Sequence, residues 1–159
     1  MKIFTIGHSN HDISRFISLL KDAKVDLLVD VRSRPYSKHV PHFNKKTIEA
    51  SLKDEAILYL YMGDRLGGLS SSEPSGSPLK YHEVSKNVVF ISAIEELLKM
   101  AEKKQVAIMC AEKDPNRCHR KHLISMELKK RRVEVIHILS DSTEVRDEDC
   151  DIPTLFDDM

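Results

Sequence analysis

Residues 106–120 read Val-Ala-Ile-Met-Cys-Ala-Glu-Lys-Asp-Pro-Asn-Arg-Cys-His-Arg, so that an apolar run turns abruptly into a dense polar cluster. The apolar run is typical of a strand buried on both faces, and Asp114 followed by Pro115 is typical of a helix start. A strand, a polar turn and a helix in this order indicate one unit of a parallel α/β sheet.

Two other parts of the chain show the same change of character. Residues 2–6 lead into the cluster Gly-His-Ser-Asn at 7–10, and residues 27–31 lead into Arg-Ser-Arg-Pro at 32–35. The carboxyl ends of parallel strands lie along one edge of a sheet, which is where ligands usually bind. The sequence therefore predicts that the three polar clusters converge in one crevice.

The whole chain continues this alternation. Strand-like runs occur at 2–6, 27–31, 57–61, 105–109 and 133–139, and helix-like runs occur at 12–23, 44–53, 84–104 and 115–131. This order predicts an α/β fold, with a single three-layer domain at residues 1–140. We expect a mostly parallel open sheet of about five strands with helices on both faces. Residues 63–78 are rich in glycine, serine and proline and predict a long loop.

Composition narrows the class of protein. With 159 residues, of which 41% are hydrophobic, the chain is long enough to bury one domain core. It contains no apolar run near the roughly 18 residues that span a bilayer, so we expect no membrane partner. Three cysteines do not make a disulfide framework, which favours a reducing compartment, the cytoplasm.

Charge is distributed unevenly although the formal net charge is zero. Residues 141–159 hold eight acidic residues against one arginine, whereas residues 1–140 hold 24 lysines and arginines against 17 acidic residues. We expect residues 141–159 to form an acidic, flexible tail. The basic body favours an anionic ligand such as a phosphate, a nucleotide or a nucleic acid.

Three candidates for catalysis lie in the polar cluster at residues 110–120. Cys118 falls in the first turns of the predicted helix, beside Arg117 and Arg120, and both cations and a helix N-terminus favour the reactive thiolate. Cys110, at a strand end, is either a second nucleophile or a small core residue. Glu112 is either an orienting carboxylate or, if it is desolvated, a general base.

The fourth candidate for catalysis is Asp30, which lies inside an apolar strand run. Burial of a lone carboxylate is costly, so Asp30 needs a cationic partner. The arginines that the sequence offers for this are Arg32, Arg34, Arg65 and Arg120. We expect a structural ion pair that positions the loops, with a direct part in catalysis as the alternative.

Around these residues the polar clusters provide a ligand site. The leading interpretation is a crevice that binds a small anionic ligand, phosphorylated or nucleotide-like, with or without cysteine-based catalysis. Arg32, Arg34 and Arg120 would contact the anion. The full set of expected ligand-binding residues is His8, Ser9, Asn10, Arg32, Arg34, Tyr36, Gly67, Gly68, Arg117, His119 and Arg120.

Two other interpretations stay open. The basic segment 32–46 contains Tyr36, which favours a nucleic-acid-associated module that tracks a phosphate backbone and stacks a base. In that case residues 152–156 of the acidic tail, Ile-Pro-Thr-Leu-Phe, recruit a protein partner.

Alternatively, the chain binds zinc, iron or haem through cysteine and histidine. The candidate metal ligands are Cys110, Cys118, His119 and His8, whose spacing is unlike the short knuckle of structural zinc sites. The residues by themselves identify no cofactor.

The motifs also carry a family resemblance. They are Thr-Ile-Gly-His-Ser at 5–9, Asp-Val-Arg-Ser-Arg-Pro-Tyr-Ser at 30–37, His-Val-Pro-His-Phe at 39–43, Leu-Gly-Gly at 66–68, and the cluster at 110–120. In this order they resemble the motif set of the family called domain of unknown function 488. The resemblance implies that these motifs form the site, but it implies no reaction, because the family has no firmly established activity. Lys38 stands where relatives commonly have arginine, which keeps the charge but not the bidentate fork.

A weaker, partial resemblance to rhodanese-like domains rests on Cys110, Arg117 and the Asp-Val-Arg run at 30–32. In such domains backbone amides and an arginine hold an oxyanion near a strand-end thiolate. The loop in this sequence has no glycine and carries Glu112 and Asp114, whose charges oppose an oxyanion. Sulfur transfer and phosphatase chemistry are therefore disfavoured.

Overall fold

Six strands form one sheet in the computed structural model, which describes residues 1–67, 84, 86–112 and 120–151. The strands are β1 (Lys2–Gly7), β2 (Leu27–Asp30), β3 (Leu58–Tyr61), β4 (Val106–Cys110), β5 (Glu134–Ile138) and β6 (Glu144–Arg146). The helices are α1 (Ile13–Asp22), α2 (Lys45–Lys53), α3 (Gly63–Leu66), α4 (Val88–Lys103) and α5 (Met126–Lys130). A π-helical turn (Arg120–Ser125) precedes α5, and 3₁₀ turns occupy Pro41–Phe43 and Asp147–Asp151.

The strand order is β3-β2-β4-β1-β5-β6. Strands β1 to β5 pair in parallel, and β6 runs antiparallel to β5. The predicted α/β class and the mostly parallel sheet are confirmed, and β6 is a strand beyond the five expected.

Local signals in the sequence explain where the longer helices begin. The Asp12 side chain accepts a hydrogen bond from the backbone N–H of Arg15 at 2.7 Å and so caps α1, as predicted. Helix α4 begins later than predicted, because the side chain of Asn87 accepts from the N–H of Val89 at 2.8 Å and sets the cap there. Within the described ranges, no helix has the length and apolar composition needed to cross a membrane.

Two apolar cores lie on opposite faces of the sheet. One core packs against α1 and α2, and we call this side the α1 face. The other packs against α4 and α5, and we call it the α4 face. Alternate residues of a strand point to opposite faces, so Met109 of β4 belongs to the core on the α1 face and Cys110 to the core on the α4 face. The sheet with helices on both faces is the three-layer arrangement that the sequence predicts.

Residues 141–151 depart from the flexible tail that the sequence predicts. Strand β6 pairs with β5, with Val145 opposite His137, and the 3₁₀ turn Asp147–Asp151 packs against both strands. The domain therefore continues past the predicted boundary at 140. Residues 152–159 of the predicted tail lie outside the described residues.

A buried chain of polar groups anchors this last segment. The Nε2–H of His137 donates to Asp147 Oδ1 at 2.7 Å, and Nδ1 of the same ring accepts from the hydroxyl of Thr5 at 2.5 Å. Lys129 Nζ donates to Asp147 Oδ2 at 2.9 Å. Burial raises the pKa of Asp147, but the hydrogen bonds from His137 and Lys129 outweigh it and lower the pKa to about 2. Asp147 thereby ties the 3₁₀ turn to β1, β5 and α5.

Removal of the Asp147 carboxylate should loosen this segment. We expect Asp147→Ala to lower the free energy of unfolding by about 2 kcal/mol at pH 7, because buried donors lose their acceptor. The exposed Asp149 lies in the same turn, and Asp149→Ala should change the unfolding free energy by less than about 0.5 kcal/mol. Urea unfolding followed by circular dichroism measures both variants. Equal losses in the two variants would contradict the anchoring role.

Candidate functional site

The topology places the carboxyl ends of β1, β4 and β2 side by side, which is where ligands usually bind in an open α/β sheet. Strand β4 lies between β1 and β2. The helices that follow β1 and β2, which are α1 and α2, cover one face of the sheet. Helix α5, which follows β4, covers the opposite face. Neighbouring strands whose connections leave on opposite faces form the usual ligand crevice of an open sheet. The strand ends are joined directly: the N–H of His8 donates to Cys110 O at 2.9 Å, and the N–H of Val31 donates to Met109 O at 3.0 Å.

A buried ion pair forms at the end of β2. Arg32 Nε donates to Asp30 Oδ1 at 2.9 Å, and Nη2 donates to Oδ2 at 2.7 Å. The backbone N–H of Arg32 also donates to Oδ1, at 3.1 Å. Asp30 is 0% exposed and Arg32 is 6% exposed. The predicted structural ion pair is therefore present, and among the predicted arginine partners Arg32 fills the role.

The guanidinium of Arg32 makes further bonds within the protein. Its Nη2 donates to the carbonyl of Phe43 at 2.7 Å, and its Nη1 donates to His8 Nε2 at 3.3 Å. The sequence predicts that Arg32 contacts an anionic ligand. In the structure its side chain is buried and joins β2, the turn Pro41–Phe43 and the end of β1. Its role is to position these loops.

His8 is held in one orientation and one protonation state. Its Nδ1–H donates to Ser9 O at 2.8 Å, which leaves Nε2 to accept from Arg32, and the ring stacks on Phe43 with centroids 4.6 Å apart. Burial, assisted by the charge of Arg32, lowers the pKa of His8 to about 4. The imidazole is therefore neutral at physiological pH.

Ser9 carries backbone strain just beyond the carboxyl end of β1. Its φ of 47° lies in the left-handed region, which costs a residue with a side chain about 1 kcal/mol. The N–H of Ser9 donates to Ala111 O at 3.0 Å, which joins it to the residue that follows β4. The next residue, Asn10, is exposed. Strained residues of this kind often occur at functional sites, so Ser9 and Asn10 remain candidates for ligand contact.

Two tyrosines of β3 belong to the same cluster, although the sequence predicts only that they pack. The hydroxyl of Tyr59 donates to Asp30 Oδ2 at 2.6 Å, and burial together with this bond raises the pKa of Tyr59. The hydroxyl of Tyr61 donates to Ser33 O at 3.2 Å. The register that places Tyr61 beside Asp30 puts both tyrosines on the face of that carboxylate. The sequence alone does not give this strand register, so it did not predict the bonds of the two tyrosines.

Glycines let α3 pack closely against the loop after β2. A Cβ at Gly63 would lie 1.8 Å from the carbonyl oxygen of Arg32, and a Cβ at Gly67 would lie 2.1 Å from Ser33 Oγ. Neither position has room for a side chain. The sequence predicts that Gly67 binds a ligand. In the structure, the close packing of α3 against the Arg32 loop is enough to explain why a glycine is at this position.

One comparison with known proteins identifies a family. The model of the family described as Domain of unknown function DUF488 matches residues 12–126. The chain belongs to this family. No protein with a curated description and no solved structure matches the chain.

Cys110 of this DUF488 domain lies apart from the buried ion pair. Its side chain is buried in the core on the α4 face, and its Sγ–H points to Glu112 O at 3.7 Å. His8, which stacks on Phe43, lies on the opposite, α1 face. The Cys110 thiol therefore lies on the face of the sheet opposite to His8. The side chain of Glu112 is exposed.

The metal interpretation finds no support in the described part of the DUF488 domain. There, no three histidine, cysteine or acidic side chains lie close enough to hold a metal ion. Both ring nitrogens of His8 are already hydrogen bonded.

Several predicted site residues lie outside the described residues, namely Gly68, Arg117, Cys118, His119 and the side chain of Arg120.

The buried ion pair should control stability. We expect Arg32→Lys to lower the free energy of unfolding by about 3 kcal/mol, because an ammonium group cannot replace the bonds to Asp30, Phe43 and His8. Arg132→Lys changes an exposed arginine that follows α5 and should cost less than about 0.5 kcal/mol. Urea unfolding at pH 7 measures both. A loss below about 1 kcal/mol in Arg32→Lys would contradict the structural role.

The neutral state of His8 predicts a pH dependence. Its folded pKa lies below the ordinary 6.5, so between about pH 4 and 6.5 the unfolded state binds more protons, and stability rises with pH. Through His8 alone, the free energy of unfolding should be up to about 3 kcal/mol higher above pH 6.5 than below pH 4. We expect His8→Gln to flatten the pH dependence of unfolding, while His39→Gln, which changes an exposed histidine, leaves it unchanged. An NMR titration midpoint of His8 near 6.5 would contradict the prediction.

Proposed function

We propose that this DUF488 domain binds a small phosphorylated, nucleotide-like anion at the carboxyl ends of β1, β4 and β2. One observation carries the proposal. Residues 31–48 contain five lysines and arginines and no acidic residue, and this segment is held in place by the buried Asp30–Arg32 pair.

The electrostatics of the segment favour an anion. Arg32 neutralises Asp30 inside the protein, so the β2 carboxylate does not offset the positive charges outside it. The side chains of Arg34, Lys38 and Lys46 are exposed. Several like charges on one segment raise the local concentration of oppositely charged ligands.

The start of α2 adds backbone donors to this surface. Asn44 precedes the helix, but its side-chain oxygen accepts from the N–H of Ser37 at 2.7 Å and does not cap the helix. Lys45 and Lys46 form the first two positions of α2. The N–H of Lys45 donates to Pro35 O at 3.0 Å, so the donors for a ligand come from the next residues of the first turn. A helix N-terminus without a side-chain cap, flanked by cations, stabilises a phosphate through its dipole and such N–H groups.

Cysteine-based catalysis is the less supported part of the earlier interpretation. Cys110 lies in the core on the α4 face, so any thiol chemistry at this site rests on Cys118. The proposal therefore concerns ligand binding and assigns no reaction.

A second candidate function is binding of a single-stranded nucleic acid. The observation that favours it is Tyr36, whose side chain is 65% exposed between two cationic residues, Arg34 and Lys38. An exposed aromatic ring among cations is the usual platform for stacking a base. In that case Tyr36 contributes more to binding than the start of α2 does.

Ligand titrations followed by NMR test the two functions. We expect inorganic phosphate and adenosine monophosphate to shift the amide signals of 32–48, with about tenfold weaker binding in the Lys45→Glu/Lys46→Glu double variant. Lys53→Glu reverses a charge at the far end of α2 and is the matched control. Its affinity should stay within about twofold of the wild type.

The alternative outcomes separate cleanly. No signal change at about 10 mM phosphate or nucleotide would remove the small-anion proposal. Binding of an oligothymidylate that falls steeply with salt and is lost in Tyr36→Ala would establish the nucleic-acid function in its place. Equal effects of Lys53→Glu and the double variant would indicate nonspecific charge attraction.

A further inference from the structure

A groove lies between the sheet edge at β3 and the last turns of α4. Its volume is about 690 Å³. Leu58, Leu60 and Met100 form its apolar lining, and Lys99, Lys103 and Lys104 are on its rim. Leu58 and Leu60 are 54% and 39% exposed.

Among the residues with a described structure, none pairs with the outer edge of β3. In the described part of the chain, β3 ends the sheet on one side and β6 ends it on the other. Strand β6, Glu-Val-Arg, carries charges of the kind that block strand addition, whereas β3 is Leu-Tyr-Leu-Tyr. Leu58 pairs with Leu27 and Leu60 with Val29, so both exposed leucines point to the α4 face. An uncharged edge strand next to an apolar groove is suited to accept an additional strand.

The rim of the groove selects an acidic occupant. Three lysines stand there against the single carboxylate of Glu102. Within the described residues, none of the three lysines forms an ion pair. Face-to-face contact with a second copy of the same groove would bring like charges together. A segment that combines apolar and acidic side chains complements it better.

We propose that residues 152–159 of a second copy of this chain bind in this groove as an added strand. The segment reads Ile-Pro-Thr-Leu-Phe-Asp-Asp-Met. In an extended conformation Leu155 and Asp157 share one face, and Phe156 and Asp158 share the other. Either register therefore presents one large apolar side chain to the groove and one carboxylate to the lysine rim.

Distance requires that the segment come from another molecule. Phe156 lies five residues after Asp151, a reach of at most about 18 Å for an extended chain. The turn that ends at Asp151 packs at the β5–β6 side of the sheet. From β6 to β3 there are five strand spacings, or about 24 Å. The groove of the same molecule is out of reach, and the groove of a neighbour is accessible.

Sedimentation equilibrium on the full chain tests the proposal. We expect the wild type to self-associate in the micromolar range and the full-length Leu155→Ser/Phe156→Ser variant to be monomeric. A fluorescent peptide of residues 151–159 should bind to that monomeric variant. Binding should weaken at least about tenfold in Leu60→Asp and about threefold in Lys103→Glu.

Matched variants decide whether the effects are local. Val88→Asp changes an exposed apolar residue at the other end of α4, and Lys86→Glu reverses an exposed charge there. Both should leave peptide binding unchanged, and circular dichroism should show that each variant is folded. If Leu60→Asp does not fold, Lys103→Glu against Lys86→Glu still decides the question.

Three results would overturn the proposal. The first is a monomeric wild type together with a peptide that does not bind. The second is self-association that persists in Leu155→Ser/Phe156→Ser, which would point to direct pairing of two β3 edges. The third is equal weakening of peptide binding by the groove variants and their matched controls.

Discussion

The bidentate pair between Asp30 and Arg32 is the interaction on which the candidate site depends. A carboxylate at the end of a fully buried strand is tolerated only with a partner that satisfies both oxygens, and Arg32 does so from two residues away. The remaining N–H groups of the same guanidinium hold the carbonyl of Phe43 and the ring of His8. One charged group thereby joins the ends of β1 and β2 to the turn before α2.

This arrangement separates the parts of the site that hold the loops from the parts that meet a ligand. Asp30, Arg32 and His8 are buried and mutually satisfied, and His8 is neutral. The cations at the surface belong to the same segment but lie beyond this cluster. Since the inner pair has no net charge, the outer cations set the sign of the local field. The anionic ligand that we propose follows from this difference between the inner and outer parts of one loop.

Sequence patterns predicted much of the fold because they reflect local physics. The cap at Asp12 and the continuous apolar runs require only neighbouring residues to be recognised. Strand β6 was missed because Glu144-Val145-Arg146 has a single apolar residue and is ordered by a distant partner, through Asp147 and His137. Tyr59 was assigned to packing because its partner, Asp30, lies on another strand. The bonds of Arg32 to Phe43 and His8 were not predicted for a related reason: these acceptors are distant in the chain.

The sequence by itself determined the α/β class, the positions of most helices and strands, and the strand ends that would gather at one edge of the sheet. Short-range propensity and the alternation of apolar and polar runs are sufficient for that. Only the tertiary structure decided that Cys110 points away from the His8 and Asp30 side of the sheet. It also decided that the Arg32 guanidinium is hydrogen bonded inside the protein and that, among the described residues, β3 ends the sheet. These outcomes depend on strand order and register, which bring together residues far apart in the chain and which no local pattern specifies.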